Sequence, residues 1–277
     1  MKHIITITSL LAAGTLCASA ASIGYNSMSD AQKEDVVFAW DFSSGSVDFA
    51  AGSVEMGSSQ YTSETFTLTG ENTATVGTQG TRPWSSRVSG IGESFTLSLD
   101  VNAISSWRNW NSIVSLYSDQ KSINFDHTMA LTTNGDSLGT LVLQSGLGGE
   151  TAYAGAGNHT LSTGLLASDV HDTTFTIVSN AVLQTLTLYV NGLQTDQLTG
   201  WIAGTESSLA LTGFQFGSNF SNCDQIGNAT VSNITFWNKA LSAEEVSSLI
   251  PEPSAFGLLA GLGALALAGT RRRRRKA

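Results

Sequence analysis

Hydrophobic and polar residues alternate along much of the middle of the chain. In 94–101 (SFTLSLDV), Phe95, Leu97, Leu99 and Val101 fall on one side of an extended backbone, and the polar residues between them fall on the other. A period of two residues is typical of a β-strand with one buried face. The same alternation occurs at 65–68, 138–143, 175–178, 183–190 and 214–216.

Turn and helix signals complete this strand pattern. The continuous apolar run at 36–42 predicts a central strand, and pairs such as Asn134-Gly135 and Asn191-Gly192 favour hairpins between strands. One helix start is convincing, because Ser242 and Glu245 have the spacing of a capping box. The helix is expected to end near Ile250.

Many short antiparallel strands with almost no helix predict an all-β sandwich or barrel. No linker-like composition interrupts the span 36–250, so we expect one domain there. The preceding residues, 21–35, are predicted to form a flexible leader.

The first 20 residues have the pattern of a secretory signal peptide. A positive residue, Lys2, precedes an apolar stretch that is too short to span a membrane. Ala18 and Ala20 form an A-x-A cleavage site. Lipidation at Cys17 is the alternative, but Leu16 stands where that signal requires a small residue.

The C-terminal residues have three parts in a fixed order. Pro251, Glu252 and Pro253 come first, and an uncharged stretch at 254–270 follows them. The chain then closes on a basic cluster formed by Arg271, Arg272, Arg273, Arg274, Arg275 and Lys276. As a helix, the 17 uncharged residues at 254–270 are about 25 Å long, which is slightly short for a transmembrane helix but workable. The basic cluster predicts that this end stays cytoplasmic.

This C-terminal order resembles the PEP-CTERM sorting signal of Gram-negative bacteria. The resemblance covers 251–277 and implies handling by an exosortase, a membrane cysteine protease-transpeptidase that cuts near the Pro-Glu-Pro motif. It also implies delivery to the cell surface or to an extracellular matrix. An uncleaved tail anchor remains the alternative.

Charge and cysteine content narrow the classes of function. The whole chain has a net charge of −9, but 21–250 holds 6 basic and 21 acidic residues, a net charge of −15. This acidity argues against nucleic-acid binding, which needs a basic face. Removal of Cys17 with the signal peptide leaves Cys223 alone, so no intramolecular disulfide is expected. Cys223 is then either buried or paired between chains.

Three segments resemble laminin-G-like, concanavalin A-like domains. These are 183–194 (LQTLTLYVNGLQ), 229–250 (ATVSNITFWNKALSAEEVSSLI) and the opening strand 38–42 (FAWDF). The resemblance spans roughly 36–250 and implies a jelly-roll sandwich of two antiparallel sheets. Such domains mostly bind glycans or proteins, some relatives are glycosidases, and members often bind one Ca²⁺.

The sequence offers little for catalysis. A glycosidase needs two carboxylates flanking the scissile bond, but Glu93 and Asp100 should lie on opposite faces of a strand. The string at 135–139 (GDSLG) matches an esterase motif, yet its setting favours a hairpin turn over the strand–turn–helix that a nucleophile elbow requires. We therefore expect no catalytic residues.

No metal-binding spacing is present either. His127, His159 and His171 lack the spacing of zinc ligands and are expected in surface loops. The acidic loops leave Ca²⁺ binding open, but no residue can be assigned to it.

The best candidates for a binding site are aromatic. Trp84, Trp107 and Trp110 lie in polar, turn-like segments beside Arg82 and Arg108. Aromatic rings stack on the C–H faces of sugars, while Arg and Asn can bind the hydroxyl groups. Trp84, Trp107, Arg108 and Trp110 are therefore candidate glycan-binding residues. The alternative is that these rings only cover an end of the sandwich. Trp40, Trp201 and Trp237 are expected in or near the core.

These patterns predict an exported, non-catalytic domain at the surface or in the matrix of a Gram-negative bacterium. Its expected partners are an exosortase-type enzyme, a polysaccharide or matrix protein, and the membrane through 254–270. A structural matrix protein without a specific ligand is the first alternative, and a diverged glycosidase is the second.

Overall fold

The computed structural model describes residues 21–55, 66–70, 72–76, 84–85, 88–107, 111–118, 129–135, 138–145, 160–200, 210–217 and 228–251. Within these residues the chain forms two antiparallel sheets, as the sequence predicts. Signals predicted at 1–20 and 254–270 lie outside the described residues, as do Glu252, Pro253, Trp201, Cys223, His127 and His159. No helix in the described ranges is both long and apolar enough to cross a membrane.

The larger sheet has nine strands. They are β1 (Val36–Asp41), β2 (Phe49–Gly52), β3 (Thr67–Leu68), β4 (Ala74–Val76), β6 (Phe95–Ser106), β11 (His171–Asn180), β12 (Thr185–Val190), β13 (Leu193–Thr199) and β15 (Asn228–Trp237). Seven of them follow the order β13-β12-β11-β6-β15-β1-β2. The strand β15 pairs with β6 on one side and with both β1 and β4 on the other, while β3 pairs with β4.

The smaller sheet has six strands in the order β10-β9-β8-β7-β14-β5. Its strands are β5 (Trp84–Ser85), β7 (Ser112–Ser118), β8 (Met129–Thr133), β9 (Thr140–Ser145), β10 (Thr160–Leu166) and β14 (Leu211–Phe216). Two helices, α1 (Asp30–Lys33) and α2 (Ala243–Ser248), flank the large sheet, and 3-10 turns occur at Tyr25–Ser27, Phe42–Ser44 and Ala167–Asp169.

The main core fills the space between the two sheets. The strand β1 forms where the apolar run predicts a strand, but it lies next to the edge strand β2 and not at the centre of the sheet. Phe38 and Trp40 are buried among aromatic neighbours from both sheets. The centroid of the Phe38 ring lies 4.4 Å from the ring centroid of Phe236 and 5.6 Å from that of Phe214. Aromatic pairs in such geometries stabilise a core beyond their buried area.

The alternation in β6 is confirmed, but its polar side is not exposed. Leu97 and Leu99 lie in the core between the sheets, whereas Thr96, Ser98 and Asp100 face outwards and are still at most 4 % exposed. A second layer of chain therefore covers the outer face of the large sheet.

Both ends of the domain form this outer layer. A second apolar cluster lies there, centred on the fully buried Trp237 and completed by Met28, Val178, Tyr189, Leu241, Val246 and Leu249. The indole N–H of Trp237 donates to the carbonyl of Gln32 at 2.8 Å. The burial of Trp40 and Trp237 confirms the prediction for these two residues.

The segment predicted as a flexible leader differs most from expectation. Residues 22–28, called the strap below, lie across the outer face instead of extending from it. The N–H of Ile23 donates to the carbonyl of Leu249 at 2.8 Å, and Met28 is buried. Directly after the strap, Ser29 and Gln32 form a capping box that starts α1. The spacing S-x-x-Q is a helix signal, so the sequence contains a second helix start.

The helix α2 begins as predicted. The Ser242 hydroxyl accepts the N–H of Glu245 at 3.2 Å, and the Glu245 carboxylate accepts the N–H of Ser242 at 2.7 Å. This backbone hydrogen bond lowers the pKa of Glu245, and the Lys239 ammonium, 3.0 Å away, lowers it further. The cap places Val246 and Leu249 against Trp237.

The close approach of the strap generates a stability prediction. An added Cβ at Gly24 would lie 2.7 Å from Asp41 Oδ2 and 2.8 Å from Asn233 Oδ1, and both carboxamide and carboxylate belong to buried residues. Gly24→Ala should therefore lower the free energy of unfolding by about 1–3 kcal/mol, as overpacking does. Urea unfolding measures the effect. The exposed Ser27→Ala in the same strap serves as the control, and equal stability of the two variants would contradict the packed strap.

Candidate functional site

Trp107 is the candidate glycan-binding residue whose side-chain surroundings the structure describes. It follows β6 directly, is partly exposed, and its ring lies against Gly139 at the start of β9. A Cβ at Gly139 would be only 2.6 Å from Trp107 Cε2, and Gly139 has a φ of +72°. The ring thus packs directly on a glycine backbone, with part of its surface left accessible.

The structure separates Trp84 from Trp107. Trp84 lies in the edge strand β5, where it pairs with Gln215 of β14. Four strand spacings separate β5 from β9, a distance of about 19 Å. The two tryptophans therefore do not form one aromatic platform, and Arg108 and Trp110 lie outside the described residues.

The six-stranded sheet carries a row of mostly polar residues at paired positions on its outer face. Paired residues place Thr160, Gln144, Ala130, Ser115, Gln215 and Trp84 opposite one another across all six strands. The adjacent register positions Leu161, Leu143, Leu131, Val114 and Phe216 lie in the core. Because side chains alternate between faces, this row points away from the core. We call it the outer row, and it is about 24 Å long.

The chemistry of the outer row is that of amides and small side chains. Gln144 is 6 % exposed, and its amide oxygen has no hydrogen-bond partner in the part of the chain that the structure describes. The amide oxygen of Gln215 accepts a hydrogen bond from the Tyr117 hydroxyl at 3.2 Å. Ala130 and Ser115 lie between the two glutamines and are themselves only 1 % and 0 % exposed, so little of the middle of the row is open to solvent. Buried polar atoms are normally satisfied, so the Gln144 oxygen is a candidate for contact with a hydroxyl donor.

The carboxylates do not form an acid–base pair. Asp100 is buried on the outer face of the other sheet, where it accepts hydrogen bonds from Ser22, Thr174 and Asn233. Burial raises its pKa, and the hydrogen bonds oppose this. Glu93 precedes β6 and offers its backbone carbonyl to the Ser179 hydroxyl. A glycosidase would require two facing carboxylates.

The structure describes some of the other sequence candidates for chemistry in part. Antiparallel strands β8 and β9 flank the GDSLG string, so a hairpin stands where an esterase would have a helix. Asp136 and Ser137 themselves lie outside the described residues. His171 is exposed at the start of β11. Among the described residues, no three His, Cys, Asp or Glu side chains converge on a metal position.

Sequence reasoning did not identify Gln144, Ser115 or Gln215 as site residues. Each is a polar residue at an alternating position in a strand, and this pattern occurs throughout the chain. Only the pairing register brings these three residues into one row. A local signal was therefore absent.

The contact between Trp107 and Gly139 is testable. Gly139→Ala should destabilise the fold by about 2–4 kcal/mol, because it adds a collision with the indole to the strain of a positive φ. Gly164→Ala is the matched control, since Gly164 has a φ of +74° but nothing within 4 Å of an added Cβ. Thermal unfolding compares them. Equal losses in both variants would mean that the ring does not pack on Gly139.

No known family model and no curated protein matches this chain. Solved structures share its fold at low sequence identity. Domain 4 of AbnA, an extracellular arabinanase of Geobacillus stearothermophilus solved with arabinotriose, is 13% identical with a TM-score of 0.52, and the match covers 78% of this chain and 98% of that one.

Two further structures support the same sandwich fold. The binding domain of Paraclostridial Mosquitocidal Protein 1 is 15% identical (TM-score 0.54), and the match covers 79% of this chain and 52% of the toxin domain. Trypanosoma rangeli sialidase in complex with sialic acid is 13% identical (TM-score 0.54), with 78% of this chain and 32% of the sialidase covered. This chain thus spans about half of the toxin domain and a third of the sialidase. What it shares with these proteins is a β-sandwich fold.

Proposed function

We propose that this chain is a non-catalytic carbohydrate-binding domain and that the outer row of the six-stranded sheet is its binding face. The observation that carries the proposal is the amide oxygen of Gln144, which is shielded from solvent on that face and has no hydrogen-bond partner among the described residues. A sugar hydroxyl is a suitable donor for it. Small residues beside it and a second glutamine along the row suit an extended ligand with many hydroxyl groups.

The comparisons support a saccharide as the ligand class. An arabinanase domain with the same fold was solved with arabinotriose, and a sialidase of which about a third matches this fold was solved in complex with sialic acid. Trp84 enters the row at its β5 end, and Trp107 lies near the start of β9. The ring of Trp107 is partly exposed, and such a ring can stack on the C–H face of a sugar.

The charge of the domain favours a neutral glycan. The span 21–250 has a net charge of −15, and an acidic protein repels anionic polysaccharides over the screening length. The outer row itself contains no ionisable side chain. Binding should therefore depend weakly on salt. Calcium enters the proposal only through the laminin-G-like resemblance, and chelation during the binding assay tests it.

We further propose that the protein is exported and sorted through its C-terminus by an exosortase-type enzyme. The supporting observation is that Pro251, the first residue of the motif, is exposed and lies three residues after the end of α2. A protease can reach a motif in that position without unfolding the sheets. The membrane helix at 254–270 and the arginine cluster would hold the chain at the inner membrane until cleavage.

The binding face has a direct test. A glycan array and calorimetry with neutral arabino-oligosaccharides should detect binding, with and without a calcium chelator. Gln144→Ala should weaken binding about tenfold, the equivalent of one buried hydrogen bond. The control is Gln194→Ala, which removes an exposed glutamine from β13 of the other sheet.

The outcomes separate the alternatives. Binding that survives Gln144→Ala unchanged would place the ligand elsewhere. Absence of binding to every polysaccharide would favour a structural matrix protein. Release of reducing sugars, abolished by a single change of an acidic residue, would identify a diverged glycosidase.

Sorting is tested by the mass of the exported protein. The intact mass should show loss of the Arg271–Arg275 cluster, with the new C-terminus near Pro251–Pro253. Replacement of Glu252 by Ala should leave the cluster attached, while Glu244→Ala on the exposed side of α2 should not affect processing. A native protein that keeps its arginines would indicate an uncleaved tail anchor.

A further inference from the structure

Asp100 is an unusual carboxylate in this fold. It points to the outer face of the nine-stranded sheet, yet the strap covers it and none of its surface is exposed. Its oxygens accept four hydrogen bonds: from the Ser22 N–H at 3.0 Å, from the Ser22 hydroxyl at 2.9 Å, and from Thr174 Oγ1 and Asn233 Nδ2 at 2.6 Å each. All four donors are neutral.

No cation balances this buried charge in the described chain. The strands around Asp100 bring further acidic or neutral groups: β15 has no ionisable residue, and β11 has only His171 and Asp172, both exposed at its start. On the strap side, Asp41 accepts the N–H of Asn26 at 2.9 Å. Within the described ranges, the amide oxygen of Asn233 is a further buried acceptor without a donor. The site therefore has acceptors in excess and lacks positive charge.

An unbalanced buried carboxylate destabilises a fold unless it takes up a proton or meets a cation. In keeping with this, burial raises the pKa of Asp100 above its usual 3.8 despite the four hydrogen bonds. A nearby ammonium group would reverse this effect. A backbone nitrogen beside the site can supply this positive charge. It belongs to Ala21, the residue directly before the strap.

The A-x-A motif places that source at Ala21. Hydrolysis of the Ala20–Ala21 peptide bond adds water, leaves a carboxylate on Ala20 and frees the amine of Ala21, which is protonated at neutral pH. The Ala21 nitrogen is one residue from the Ser22 nitrogen, at most about 3.7 Å away. Since the Ser22 nitrogen lies 3.0 Å from Asp100 Oδ1, the new ammonium falls within about 7 Å of the carboxylate. Rotation about the Ala21 backbone can bring it closer.

We propose that signal-peptide cleavage completes this site: the α-ammonium group of Ala21 pairs with the Asp100 carboxylate and fastens the strap to the outer face. Asp100 is thus the binding site for the processed N-terminus of the chain. Before cleavage, the same atom is a neutral amide and the carboxylate has no counter-ion. Cleavage of the Ala20–Ala21 peptide bond during export would therefore raise the free energy of unfolding of the domain. The inference rests on the cleavage site proposed above and is independent of carbohydrate binding.

The test compares the processed full chain with and without its terminal charge. Transamination with pyridoxal phosphate converts an α-amine to a neutral ketone and leaves lysine amines intact. The treated protein should melt several degrees lower at pH 7 than the untreated one. In Asp100→Asn the same treatment should cause no further loss, whereas in Glu34→Gln, which changes an exposed carboxylate, the full loss should persist.

The pH dependence has a definite sign. In the treated protein the folded-state pKa of Asp100 lies above the unfolded value, so stability should fall as pH rises through that window. In the untreated protein the ion pair should offset this loss and raise the pKa of the α-amine above its ordinary 7.7–8.0 or so. Its contribution is then complete below that value and lost as the amine deprotonates. An NMR titration of Ala21 measures this pKa without any substitution.

The possible results test the ion pair and the role of cleavage separately. Equal melting of treated and untreated protein, an unshifted amine pKa, or a treatment effect that persists in Asp100→Asn would overturn the ion pair. N-terminal sequencing that finds a first residue other than Ala21 would overturn the role of cleavage. Either failure leaves the saccharide-binding measurements untouched, and loss of saccharide binding leaves the amine measurements untouched.

Discussion

The structure depends on the closure of the outer face of the nine-stranded sheet by the two ends of the domain. The strap arrives from one end and α2 from the other, and both pack on Trp237. Without them, the indole and the polar face of β6 would be exposed to water. Their burial requires that the polar groups beneath be hydrogen-bonded, which Ser98, Thr176 and Asp100 achieve through their cross-strand neighbours.

The two sheets use their outer faces differently. The large sheet buries its outer face under the strap and α2. Ser98, Thr176 and Asp100 are hydrogen-bonded there, whereas the amide oxygen of Asn233 has no donor among the described residues. The small sheet instead carries the outer row, where Gln144 keeps an acceptor unpartnered. Among the described residues, each outer face therefore holds a buried amide oxygen without a hydrogen-bond partner.

Much of the architecture follows from local signals in the sequence. The period of two in β6, the apolar run of β1 and the capping box at Ser242 each correspond to an observed element. The pair Asn191-Gly192 forms the hairpin between β12 and β13, with positive φ at both residues as a tight turn requires. These features arise from contacts between residues close in sequence, so the sequence alone can reveal them.

The functional features arise from distant contacts, and local signals do not reveal them. The outer row exists only because six strands pair in one register, and residues 84 and 215 become neighbours across 131 positions. The strap falls in the segment predicted as a flexible leader, but it forms a hydrogen bond with Leu249 and packs on Trp237. Tryptophans that look alike in sequence are separated by sheet order. Propensity and patterning define strands, whereas tertiary pairing decides which side chains meet.

The hydrogen bond between Ile23 and Leu249 gives the domain a mechanical property. The two chain ends meet at this point, so a molecule held by its C-terminal segment bears load first on α2 and the strap. The two sheets lie behind that junction and are not pulled apart strand by strand. The small sheet and its outer row lie across the main core from that junction.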